Sequence, residues 1–191
     1  MATIRTGTAP ALLVVDVQVG VMAEAWDAAR VVQNIARAVQ RAREQRVPVL
    51  WIQHADDDLP EGSGPWQLRP ELQPAAGEPR LVKRFNSSFE QTPLDDELVR
   101  RGISHIALAG AATNWCIRAT AYAALERGYD LTLIADAHTT SPMDLAGGRR
   151  IAAADIVDEL NATITWLSYP GRVNGTATAE AIDFRRPGGR R

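Results

Sequence analysis

The 191-residue sequence has one cysteine, Cys116, so no intrachain disulfide can form and the chain fits a reducing compartment. Its opening, Met1 to Pro10, lacks the basic-then-apolar order of a secretory signal, and no apolar run reaches bilayer-spanning length. The expectation is a cytoplasmic protein with no membrane partner. A formal net charge of -2 lacks the basic surplus of a nucleic-acid binder. Absent too is a glycine-rich phosphate loop. The first apolar run leads into Val17-Gln18-Val19-Gly20-Val21-Met22, which is neither a dinucleotide fingerprint nor a P-loop. No internal repeat or linker divides the chain, which reads as one domain over 1–184 and a disordered basic tail over 185–191.

What is present is an alternation of apolar runs and amphipathic stretches. Ala11 to Val15 is a β-branched run closed by Asp16, the pattern of a central strand buried on both faces. An aspartate there meets water at the rim or meets a cation. Asp27 to Arg46 has helical apolar spacing with Asp27 as N-cap. Val47 to His54 is a second strand, so the first βαβ unit makes its two strands parallel. Ala55 to Arg80 is a long loop rich in proline and glycine around Trp66, and long loops in compact domains are commonly functional. Leu81 to Phe85 is a short strand containing Lys83, and Thr92-Pro93 opens a helix that Gly102 ends. Further strands fall at His105–Ala111, Asp130–Asp136 and between Val173 and Ala179, with helices at Trp115–Arg127 and Gly148–Leu160. Asn161 to Leu167 suits either a strand or a continued helix. The pattern predicts a three-layer α/β/α sandwich around a mostly parallel, Rossmann-like sheet of about six strands.

The most informative stretch runs from Ala107 to Thr120. An apolar strand gives way to small residues, Thr113 or Asn114 caps a helix, and Cys116 falls in its first turn. Free N–H groups and the helix dipole there favour a thiolate, so the thiol is expected to ionise more readily than a free cysteine. An inert buried cysteine is the ordinary alternative. Two other strand ends shift the balance. Asp16, Lys83 and Cys116 all close strands, and parallel strands open their carboxyl ends on one sheet edge. A carboxylate to move a proton, an ammonium to steady charge and a sulfur to attack a carbonyl carbon form a workable set.

These segments resemble the cysteine hydrolases of the isochorismatase-like superfamily. Leu12-Leu13-Val14-Val15-Asp16-Val17-Gln18 is similar to that family's first strand with its aspartate, and Val82-Lys83-Arg84 followed by Ser87-Ser88-Phe89 to its lysine segment. Gly110 to Ala121 resembles the nucleophile motif, and Ile134-Ala135-Asp136-Ala137 the strand after it. The resemblance implies hydrolysis of a C–N bond in a small amide, ureido, carbamoyl or cyclic amide substrate. Cys116 is then the nucleophile of a thioester-type intermediate, Asp16 the general acid and base, and Lys83 the group that lowers the thiol's pKa. It further implies a cis peptide joining Ala111 to Ala112, an oxyanion hole from the N–H groups of Ala112 and Cys116, and a helix running through Asn161. Gln18, Trp66, Phe89 and Trp115 are the expected substrate contacts, and a homodimer or homotetramer the expected assembly.

Nicotinamidases of that family hold a metal through an aspartate, a histidine two positions on, and a later histidine. Here Ile52 stands two before His54, and no histidine occurs between His54 and Lys83. The expectation is therefore no metal and no cofactor, with His54 a hydrogen-bonded strand-end residue, His105 structural, and His138 without a role. Two alternatives stay open. One is a nicotinamidase-like amidase with unusual metal ligands. The other is a catalytically silent member acting as a binding or interaction protein.

Overall fold

In the computed structural model, which describes residues 2–185, six parallel strands form one sheet in the order β3-β2-β1-β4-β5-β8. They are β1 (Ala9–Val15), β2 (Val49–His54), β3 (Arg80–Lys83), β4 (Ile103–Ala111), β5 (Asp130–Thr139) and β8 (Asn174–Ala177). Along β1 the side chains divide between two cores, as the two-residue period of a strand requires. Leu12 and Val14 face one core, where α1 (Ala28–Glu44) contributes Val31, Val32 and Ile35. Leu13 and Val15 face the other, built with α2 (Leu94–Arg100), α3 (Arg118–Glu126) and α4 (Ala153–Trp166). The three-layer sandwich thus follows from strands apolar on both sides.

Several element ends differ from the sequence reading. Asp27 does not cap α1, because its backbone is left-handed (φ 50°) and its carboxylate pairs with Arg30. In place of a helix from Gly148, the two-residue strands β6 (Met143–Asp144) and β7 (Arg150–Ile151) pair antiparallel, and α4 begins at Ala153. Gly147 and Gly148, both at positive φ, make the intervening turn. The ambiguous Asn161–Trp166 stretch is helical. Residues 186–191 of the expected basic tail lie outside the described residues. Among the described residues no helix is long and apolar enough to cross a membrane.

Gly110 decides how the sheet presents its edge. It pairs with Val15 at φ 129°, and a Cβ there would lie 1.9 Å from the Val15 carbonyl oxygen. Only glycine lets β4 pass so close to β1 just before both strands end. The chain ends that follow, Asp16 and the turn bearing Cys116, are brought side by side.

Candidate active site

Asp16 leaves β1 in a left-handed conformation (φ 53°) that aspartate tolerates better than most residues. Its N–H donates to the Ile52 carbonyl at 2.8 Å, fixing the backbone while the carboxylate turns inward, 1% exposed. The cation that compensates this burial is Lys83, at the end of β3, with Nζ 2.7 Å from Asp16 Oδ2 and neither side chain open to water.

The Lys83 ammonium has three N–H groups to give. Directed contacts run to Cys116 Sγ (3.2 Å), the Phe85 carbonyl (3.1 Å) and His54 Nδ1 (3.4 Å). Asp16 Oδ2 is the nearest of the four acceptors around this ammonium, which links the carboxylate to the sulfur through one charged group. Because an ammonium only donates, His54 Nδ1 accepts, and Nε2 faces Asp56 Oδ2 at 2.9 Å as donor. The tautomer is assigned from this network. His54 is thus a strand-end residue that holds the lysine.

After β4 the peptide between Ala111 and Ala112 is cis. The chain then makes a wide π-helical turn, Thr113–Ile117, before α3 begins. Cys116 accordingly sits in a π turn and not in the first turn of an α-helix. Neither expected cap acts as one: the Thr113 hydroxyl goes to His138 Nδ1 at 2.9 Å, and Asn114 Oδ1 accepts from Thr140 at 2.6 Å. Cys116 is partly buried, and its Sγ has Asn86 Oδ1 at 3.9 Å.

The expectation of an acidified thiol is corrected. Burial, and then the negative charge of Asp16, push Cys116 up to about 12, with Lys83 pulling the other way. Burial also raises Asp16, opposed chiefly by Lys83. The resting group is a thiol next to a carboxylate that can take its proton, not a standing thiolate.

Asp16, Lys83 and Cys116 meet at one place. Of the other expected contacts, only Trp115 remains at a surface hollow, 56% exposed. Gln18 is fully buried and spent on backbone: Nε2 donates to the carbonyls of His54 and Trp66, both at 3.0 Å, and Oε1 accepts the His54 N–H. It pins the strand end that carries His54. Trp66 is also buried, its carbonyl accepting from Gln18 and Gln53. Phe89 belongs to the core, stacked on Tyr129 with ring centroids 6.0 Å apart. All three corrections have one cause: an aromatic or amide packs wherever the tertiary structure offers cover.

Two hollows flank Trp115. One, about 300 Å³, is walled by Val21, Ala25, Ala112, Asn114, Met143 and Asp144. The other, about 390 Å³, lies by Asn86, Arg118 and Tyr122. Both are of small-molecule size. Asn86 escapes a reading of motifs, since it matters only through what the fold places beside it, whereas His54 is the hydrogen-bonded strand-end residue expected. Among the described residues no three or more His, Cys, Asp or Glu side chains gather in a way that could hold a metal.

Residues 10–165 match the model of the isochorismatase domain. The chain belongs to the isochorismatase family. Streptothricin hydrolase of Streptomyces noursei is 34% identical over 146 residues, 72% of this chain and 57% of that protein's length. Ureidoacrylate amidohydrolase RutB of Methylobacterium radiotolerans is 29% identical over 192 residues, covering 83% of this chain and 70% of the relative. An isochorismatase from Pseudomonas putida KT2440 has the same fold, with a TM-score of 0.82 over 92% of this chain and 91% of its own at 24% identity. N-carbamoylsarcosine amidase from Thermoplasma acidophilum aligns at 26% identity with a TM-score of 0.73, over 92% of this chain and 99% of its own.

Proposed function

We propose that this isochorismatase-family chain hydrolyses a C–N bond in a small amide, ureido, carbamoyl or cyclic amide compound, using Cys116, Asp16 and Lys83. The Asp16 carboxylate takes the thiol proton as Sγ bonds to the carbonyl carbon. The N–H groups of Ala112 and Cys116 receive the oxyanion. Asp16 then returns the proton to the nitrogen, the C–N bond breaks and the amine leaves. Water next gives Asp16 a proton as its oxygen attacks the thioester-type carbon, and the sulfur leaves and is reprotonated. Lys83 offsets negative charge at each stage. Trp115 and the hollow that it shares with Ala112 and Asn114 receive the substrate.

The observation that carries this reading is the buried Asp16 carboxylate paired with Lys83 at 2.7 Å, with the same ammonium 3.2 Å from Cys116 Sγ. The names of the relatives, an amidohydrolase and an amidase among them, agree with C–N chemistry. A cytoplasmic setting that keeps the thiol reduced, and an assembly of two or four copies, belong to the same proposal; sedimentation velocity tests the latter.

An ammonia-release screen over amides, ureido acids and carbamoyl amino acids tests the reaction. Turnover that vanishes in Cys116→Ser and Asp16→Asn, with a mass adduct on Cys116 during turnover, supports it. Full activity in Cys116→Ser refutes the covalent route, and no turnover of any compound favours a silent binding protein.

A further inference from the structure

His138 is nearly sealed from solvent, 1% exposed, and has no part in the reaction above. It lies opposite Gly110, where β5 carries extra residues relative to β4, and this places the ring against the start of the turn bearing Cys116. Its partners fix its state. Asn161 on α4 donates Nδ2 to the Ala135 carbonyl at 3.0 Å, so Asn161 Oδ1 is left to accept. His138 Nε2, 3.1 Å from that oxygen, is therefore the N–H donor. Nδ1 is then an acceptor and takes the proton of the Thr113 hydroxyl at 2.9 Å. A chain of directed bonds runs from the β5 backbone through α4 and the imidazole to the first residue after Ala112.

We propose that His138 is a positioning residue, which through Thr113 sets the turn that aims the Cys116 sulfur and the N–H of Ala112. The proposal rests on Cys116 being the nucleophile. Burial holds the imidazole at about 4, far below the usual histidine range, against the opposing pull of Asn161, Asp136 and Asp158. It stays neutral at physiological pH and keeps a free lone pair at Nδ1. Thr113 is itself fully buried, so its hydroxyl has no water to turn to.

The two nitrogens can be tested separately. Asparagine places a carbonyl oxygen where Nδ1 was and keeps the Thr113 bond. Glutamine reaches the Nε2 position and keeps only the Asn161 bond. For the best amide in the screen, His138→Gln and Thr113→Val are expected to lower kcat about 10- to 100-fold with KM nearly unchanged, as a displaced nucleophile does. His138→Asn and Thr113→Ser are expected to stay within about threefold of the parent. Thermal melts identify any variant that fails to fold, and either pair alone then decides. Equal kcat in Thr113→Val and Thr113→Ser, or in His138→Gln and His138→Asn, overturns the proposal while leaving the reaction intact. Unchanged turnover in Cys116→Ser overturns both.

Discussion

Lys83 Nζ sits 2.7 Å from Asp16 Oδ2 with both side chains withdrawn from solvent, and it reaches Cys116 Sγ at 3.2 Å as well. Removing one member of a buried pair strands the other charge. Lys83→Met is expected to cost about 3–5 kcal/mol in urea unfolding. Losing the cation also lets Asp16 hold its proton to higher pH, since Lys83 is the chief influence lowering it. The acidic limb of the kcat/KM profile should therefore move upward in pH.

Asp16→Asn has opposite effects on chemistry and on titration. Turnover should fall by about 10²-fold or more with the loss of the general base. The thiol should nevertheless ionise at lower pH than in the parent, because the Asp16 charge helps hold Cys116 up. Iodoacetamide alkylation followed against pH reports this directly, as the chain has a single cysteine. An unchanged or raised alkylation midpoint would contradict the reading.

The thiol also leaves a mark on stability. The native state keeps the Cys116 proton to about 12, whereas the free group loses it near 9.0. Between those values the native state binds more protons than the unfolded one, so stability falls as pH rises, by about 1.4 kcal/mol per pH unit. Cys116→Ser lacks this proton, and the parent-minus-variant difference in unfolding free energy should decline across that window and be flat below it.

Gly110→Ala tests the close approach of the two central strands. Its Cβ would come within 1.9 Å of a backbone oxygen, at a φ that side chains rarely adopt. Backbone strain and overpacking together are expected to cost about 3 kcal/mol or more. The strand ends carrying Asp16 and Cys116 would separate, so activity at temperatures where the variant is folded should fall with stability.

Much of this was legible in the residues alone. The apolar run closed by Asp16 marks a strand end because a doubly buried strand has nowhere else to put a charge. The parallel order then gathers those ends on one edge. What stayed hidden depended on tertiary surroundings. The helix-terminus argument for an acidic Cys116 is local, whereas the burial that outweighs it comes from elements far away in sequence. Gln18, Trp66 and Phe89 are chemically fit to touch a substrate, and only packing assigns them to other tasks. The hairpin of β6 and β7 is too short for a period of two to register, so Arg150 and Ile151 read as part of the helix expected from Gly148.

The Trp66 carbonyl, gripped by the amides of Gln18 and Gln53, divides the stretch between β2 and β3 into two short spans moored at their midpoint. The exposed residues Gly62 and Gly64 lie on the first span, before Trp66. A protease nick there leaves both flanking pieces lashed to the sheet, so a clipped molecule should elute as one body and go on working.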